Sequence, residues 1–245
     1  LDEVLALPKS KWTNLWQIFS KDIIEKQILM YLKDDYIQNL ILKENWGGGM
    51  QNVAHDFVAV VDANLASLKS DPQVLRSYSY TIQRDGENII ADLAIKYVNE
   101  NSITWKTTRY RTYTRVYVPA GSVLLTSSGA MVDCKIEKPG SVDTSEELNK
   151  TVFGTFICIE PGETGEIKFK YKLPHAITNQ LLKENYYQLL FRKQPGAAAY
   201  DLAINVDLKK KPKESTGLDN IENKTDNTVQ SKTTLSQDRI MKITF

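Results

Sequence analysis

From about Arg76 to the carboxyl end, apolar and polar residues alternate with the period of strands that bury one face. Ile89, Ala91, Leu93, Ile95 and Tyr97 make one such run. Ile167, Phe169, Tyr171 and Leu173 make another, alternating with Glu166, Lys168, Lys170 and Lys172 on a charged outer face. Tyr187, Leu189 and Phe191 repeat the pattern, as do Leu202, Ile204, Val206 and Leu208, and then Met241, Ile243 and Phe245. Thr151 to Ile159 is apolar on both faces and predicts a central strand. Turn chemistry separates the runs at Arg84-Asp85-Gly86-Glu87, Pro119-Ala120-Gly121 and Pro161-Gly162-Glu163-Thr164-Gly165. About eight or nine short strands so punctuated predict an antiparallel, immunoglobulin-like β-sandwich over residues 73–245. The lysine-led, unpatterned segment 209–227 buries too little apolar area to offset its ordering entropy, and is expected as a flexible loop. Val229 to Leu235 and Ile240 to Phe245 then read as a closing hairpin.

The first 72 residues have another texture. Lys26 to Leu32 (KQILMYL) reads as a buried strand. Asp34 stands at an N-cap, and Ile37, Leu40 and Ile41 follow at helical spacing with Glu44 outside. Gly47 is expected to stop that helix in the left-handed conformation. Asp56 to Val61 (DFVAVV) is too short for a helix and rich in Val, so it predicts a second strand. Trp12 to Phe19 is expected to be a helix packed on this unit. The whole reads as α+β: residues 1–72 as the strand-helix-strand tail of an α/β domain, then the sandwich.

Composition narrows the function. Lys and Arg number 31 against 30 Asp and Glu, a net charge of +1, whereas proteins that hold polyanions usually carry a basic excess. No nucleic acid is expected as a partner. Two cysteines and two histidines, at spacings that fit no zinc site, give no metal centre. Cys134 and Cys158 pair if their strands are neighbours; otherwise they are two small buried thiols. The chain has no GxSxG, HExxH, phosphate-cradling glycine loop or calcium loop, so no cofactor and no catalytic residue is assigned. His55 and His175 read as structural or solvated. No apolar run approaches the roughly 20 residues that span a bilayer, and no signal peptide is seen. A start at Leu1-Asp2-Glu3 without Met suggests a piece of a longer protein, whose membrane anchor would lie upstream.

Three places invite a ligand. Gly47-Gly48-Gly49 can form an anion nest, but it follows a helix instead of opening one, which favours a plain loop. Asp62 and Asn64, with Lys69, follow the DFVAVV strand, and ligands gather at strand carboxyl ends in open α/β sheets; Asp and Asn also simply favour turns. Arg109, Arg111, Tyr113, Arg115 and Tyr117 share one face of a strand, with Tyr110, Thr112, Thr114, Val116 and Val118 on the other. Interleaved Arg and Tyr can stack on sugars or grip an acidic glycan. The same array also makes a cross-strand ladder, and that reading is favoured.

Three stretches carry a family likeness: Asp56 to Lys69 (DFVAVVDANLASLK); Thr114 to Leu125 (TRVYVPAGSVLL); and Thr151 to Pro174 (TVFGTFICIEPGETGEIKFKYKLP) together with Arg192 to Gly196 (RKQPG). They resemble a bacterial family catalogued as domain of unknown function 4012, over most of residues 20–245. The resemblance implies the carboxyl-terminal part of an envelope protein, outside the cytoplasm and tethered by an upstream transmembrane helix. The family's glycine-rich block, expected upstream, is absent from this chain. No catalytic residue is established for the family, so none is carried over. The leading expectation is a non-enzymatic surface, structural or binding module, its Arg/Tyr strand touching envelope glycans or other surface proteins. The alternative is the end of an enzyme acting on envelope polymers, with Asp62 and Asn64 at the margin of its site. A third reading is an assembly component that pairs through an exposed sheet edge.

Overall fold

The computed structural model describes residues 8–65, 68–135, 138–225 and 227–245. The Leu1-Asp2-Glu3 start and residue 226 of the expected loop lie outside the described residues.

Two helices come first. α1 (Lys9–Ile24) sets Trp12, Leu15, Trp16, Phe19 and Ile23 on one stripe at helical spacing. Ile23 near its end is buried, while Trp16 is exposed. α2 (Asp35–Lys43) starts as the sequence predicts, with the Asp34 side chain accepting from the Ile37 N–H at 2.9 Å. It stops earlier than predicted. The left-handed residue beyond its end is Asn45, φ 60°, not Gly47.

The strand expected over Lys26 to Leu32 does not form. Lys26 is left-handed (φ 57°), and Leu29, Tyr31 and Leu32 are exposed. An apolar run becomes a strand only beside a pairing partner, and here the Met30 N–H reaches the Trp46 carbonyl in an irregular connection between the helices. The strand-helix-strand unit is therefore absent. Its second expected strand does form, but inside the sandwich.

Fourteen strands are described. They are β1 (Asp56–Asn64), β2 (Val74–Asp85), β3 (Asn88–Asn99), β4 (Tyr110–Pro119), β5 (Val123–Ser128), β6 (Asp143–Glu147) and β7 (Lys150–Ile159). Then come β8 (Thr164–Lys172), β9 (Tyr186–Arg192), β10 (Tyr200–Asp207), β11 (Glu214–Thr216), β12 (Ile221–Thr225), β13 (Thr228–Leu235) and β14 (Arg239–Thr244). A short helix α3 (His175–Asn179) precedes β9. The strands form two seven-stranded sheets. The first runs β11-β14-β9-β1-β4-β7-β6, the second β12-β13-β10-β2-β3-β8-β5. Pairing is antiparallel except for β1 with β9 and β2 with β10, two parallel pairs that an all-antiparallel reading does not contain.

The alternating runs behave as their period requires. Inward residues of β2, β3 and β8, among them Tyr80, Ile82, Leu93, Ile95 and Phe169, meet Val58, Val116 and Phe153 of the first sheet in one core. The Asp85-Gly86-Glu87-Asn88 turn joins β2 to β3 with Gly86 at φ 57°, as a tight hairpin demands. A second, smaller apolar cluster lies on the outer side of the first sheet, where Phe57, Ala59, Tyr117 and Leu190 are covered by Met50 and Val53. The segment from Asn45 to His55 is thus a strap across that sheet.

Two further expectations are corrected. Segment 209–227 carries β11 and β12, the outermost strands at one side of each sheet. An edge strand needs one neighbour and few apolar side chains, which is why a polar sequence suffices. β13 and β14 are not a hairpin: β13 pairs with β10 and β12, β14 with β9 and β11, so the chain crosses between sheets at Ser236 to Asp238. Cys134 and Cys158 form a disulfide, Cα atoms 5.3 Å apart, which pins the stretch around Cys134 to β7.

Candidate functional site

β1 brings two carboxylates into the space between the sheets. Strand alternation puts Asp56, Val58, Val60 and Asp62 on its inner side and Phe57, Ala59 and Val61 on its outer side. Each carboxylate becomes the centre of a polar node that joins both sheets.

At the first node, Asp62 meets Arg76 of β2. Arg76 Nε donates to Asp62 Oδ2 at 2.7 Å, and both side chains are buried. Nη1 donates to the Val74 carbonyl (3.1 Å) and the Tyr200 hydroxyl (2.8 Å). Nη2 donates to Asp71 Oδ1 and the Tyr110 hydroxyl, each at 2.5 Å. A guanidinium has five N–H donors, and all of them are engaged. The rings of Tyr97, Tyr110 and Tyr200 also stand 5.1–5.7 Å from the Arg76 carbon, close enough for cation–π attraction. The other Asp62 oxygen accepts from Tyr97 (2.9 Å) and Thr114 (2.7 Å). Burial pulls the Arg76 pKa down, but the Asp62 carboxylate together with Tyr110, Tyr200 and Asp71 more than offsets it, and the net shift is upward. Burial drives the Tyr97 and Tyr110 hydroxyls well above their ordinary value, so they stay protonated donors.

At the second node, Asp56 is fully buried and accepts from Tyr187 (2.5 Å), Tyr80 (2.8 Å) and the Phe57 N–H (2.8 Å). Tyr171 in turn donates to Tyr80 at 3.0 Å. Burial raises the Asp56 pKa to about 6, against the pull of the Tyr187 and Tyr80 hydrogen bonds.

The predicted site residues fall in two groups. Asp62 does not sit at an open strand end; it points inward, and its backbone N–H and carbonyl are clasped by the Gln194 amide at 2.9 and 3.1 Å. Asn64 donates to the Leu68 carbonyl (2.9 Å) in the turn that follows. A cleft of about 250 Å³ opens beside them, bordered by Asp71, Gln194 and Tyr200. Arg109, Arg111, Tyr113, Arg115 and Tyr117 do share one face, as predicted, on and just before β4. Four of them have a side-chain partner on β6 or at the residue that follows β7. Arg109 pairs with Glu160 (3.2 Å), Arg115 with Glu147 (3.3 Å), Tyr113 donates to Asp143 (2.7 Å) and Tyr117 to Glu147 (3.3 Å). Tyr117 is only 3% exposed, beneath Met50 and Val53 and beside the Arg115 guanidinium. Arg111 is exposed. This is the ladder geometry.

In the Gly47-Gly48-Gly49 loop it is carbonyls that meet a charged side chain. Its Gly48 and Gly49 carbonyls accept from Arg192 at 2.5 Å each, so the loop presents acceptors to a cation. Sequence reasoning missed this contact and the Asp62–Arg76 pair. The signal for the pair was present: Arg76 shares the inward phase of β2 with Tyr78, Tyr80 and Ile82. Among the described residues no cluster of His, Cys, Asp and Glu could hold a metal ion.

No protein-family model matches the chain, and no curated protein matches it. Solved structures share its outline at low similarity. A Legionella pneumophila protein described as nutrient binding is 8% identical, with TM-score 0.44, over 76% of this chain and 70% of its own. An M1 zinc metallopeptidase from Deinococcus radiodurans is 12% identical, TM-score 0.34, over 74% of this chain and 44% of its own. Leukotriene A4 hydrolase from Saccharomyces cerevisiae is 6% identical, TM-score 0.36, over 74% of this chain and 32% of its own. The chain spans less than half the length of these two enzymes, and likeness at this level carries no activity across.

Proposed function

We propose that the chain is a non-enzymatic structural and binding module of the bacterial cell envelope, working outside the cytoplasm as a rigid, immunoglobulin-like spacer. The observation that carries this reading is the Arg76 guanidinium, whose five donors are all taken up by groups of this chain, from both sheets and the turn between them. A group so saturated stiffens the sandwich and leaves no donor for a substrate. Asp56, whose pKa suits a general base, lies with 0% exposure between the sheets, beyond a substrate's reach. The disulfide suits an oxidising compartment. The resemblance to the envelope family catalogued as domain of unknown function 4012 agrees with a place outside the cytoplasm.

Contact with envelope glycans or surface proteins falls to the open part of the β4 face, Arg111 with Arg109, Tyr113 and Arg115, since Tyr117 is covered. The test is thiol alkylation in intact bacteria producing the full-length protein. Cys134 and Cys158 are expected to resist alkylation until a reductant is added; free thiols in untreated cells would remove the extracytoplasmic reading. In parallel, purified protein is passed over immobilised envelope polysaccharide. Arg111→Ala with Arg115→Ala should lower its retention several-fold, and unchanged retention would discard this contact face.

A further inference from the structure

The residues immediately beyond the ends of the two amino-terminal helices have the same unusual backbone. Lys26 follows the Glu25 cap of α1 with φ 57°, and Asn45 follows the Glu44 cap of α2 with φ 60°. Asn tolerates this conformation; Lys adopts it only at a steric cost, so something must hold it there. What both side chains reach is one carboxylate oxygen. Asp238 Oδ2, in the crossing between β13 and β14, accepts from Lys26 Nζ at 2.6 Å and from Asn45 Nδ2 at 2.9 Å. Asp238 Oδ1 is fixed by the Lys193 N–H at 2.9 Å, which aims the second oxygen at the amine and the amide. Lys26 has 1% of its side chain exposed and Asp238 10%.

We propose that Lys26 and Asn45 join in an intramolecular isopeptide bond, with Asp238 as the catalytic residue. A primary amine, a carboxamide and a carboxylate that touches both are the groups this reaction needs. Asp238 takes a proton from the Lys26 ammonium, and the freed lone pair forms an Nζ–Cγ bond to Asn45. Asp238 then hands that proton to Nδ2 as the Cγ–Nδ2 bond breaks. The remaining surplus proton on Nζ follows the same route, so ammonium leaves and Asp238 returns to a carboxylate. One ammonium and one carboxamide become one secondary amide and one free ammonium, with no oxidant or reductant involved. The site favours the nucleophilic form of the amine: burial lowers the Lys26 pKa despite Asp238, and nearby Arg192 and Lys193 lower it further. The bond closes a ring around α2 and locks the helical segment beside the sandwich.

Intact mass spectrometry of the full chain, with its disulfide reduced, tests this directly. The wild-type protein is expected about 17 Da below its sequence mass, one ammonia lost, and peptide sequencing should find a branched peptide linking Lys26 to Asn45. Lys26→Arg keeps the charge without a nucleophilic amine, and Asp238→Asn keeps a polar partner without the base. Both should retain the full mass while circular dichroism shows the sandwich intact. An uncrosslinked wild-type chain after prolonged incubation overturns the proposal. So does ammonia loss without the branched peptide, or a branch from Lys26 to Asp238 with loss of water. Crosslinking of the Asp238→Asn variant at the wild-type rate removes Asp238 from the reaction and overturns the mechanism.

Discussion

Asp56 and Asp62 stand at opposite ends of the inner side of β1, yet Asp62 meets the Arg76 guanidinium while Asp56 meets hydroxyl and amide donors. The same residue type on the same strand is therefore held in two electrostatic regimes. Asp56, offered only neutral donors in a dry interior, is driven toward its protonated form. Both link the sheets, by different means.

Asp56 should give stability an acid-side component. Its pKa rises from 3.8 in the unfolded chain to about 6 in the folded one, so the folded state binds more protons between those values. The contribution is complete below the lower value and is lost as pH rises through the upper one, a change of about 3 kcal/mol. Urea unfolding between pH 4 and about pH 7 should show this decline in the wild type and a flatter profile for Asp56→Asn. An identical slope in the variant would mean that Asp56 is already ionised in the fold.

Reduction of the Cys134–Cys158 bridge should loosen the stretch around Cys134 and lower stability. The bond closes a loop of 24 residues, for which chain entropy predicts about 3 kcal/mol. Cys134→Ser with Cys158→Ser should lower the unfolding midpoint accordingly, as read by thermal denaturation. An unchanged midpoint would show that the segment is held by its other contacts, such as the Met131 N–H to the Phe156 carbonyl.

Gly154 of β7 gives the Tyr113 ring its seat, because a Cβ there would collide with the ring and its hydroxyl. Burial and the hydrogen bond to Asp143 push the Tyr113 pKa up to about 12. Gly154→Ala should displace the ring, break the Asp143 contact and return that pKa toward 10, visible as a phenolate signal in an ultraviolet titration. The Arg115–Glu147 pair beside it is exposed, and Arg115→Ala should cost no more than about 1 kcal/mol.

The parts of this fold that were legible in the sequence are those that local physics decides. Two-residue alternation placed β3, β8, β9 and β10 correctly, and Asp34 marked the start of α2. What escaped depends on distant partners. Lys26 to Leu32 is apolar enough for a strand, but Lys26 is drawn aside to Asp238 and no ladder forms. Glu214 to Thr216 and Ile221 to Thr225 are polar because each lies at a sheet edge, and no alternation betrays an edge. β13 and β14 look like a hairpin because sequence shows adjacency, not the sheet to which each strand belongs. DFVAVVD has the look of a strand in an open α/β sheet, and that makes Asp62 look like a strand-end ligand residue. Its spacing from Val58 and Val60 gave the inward phase, and Arg76 among the inward tyrosines of β2 gave its partner.

The central claim is that the sheets are fastened to each other by buried polar pairs, above all Asp62 with Arg76. A double-mutant cycle in urea tests it most directly, using Asp62→Asn, Arg76→Met and the two combined. Each single change should cost about 3 kcal/mol or more by stranding a buried partner. The pair should cost clearly less than the sum, a coupling of about 2 kcal/mol, with both sheets unfolding in one transition. Additive losses within about 0.5 kcal/mol, or near-neutral single variants, would contradict the account.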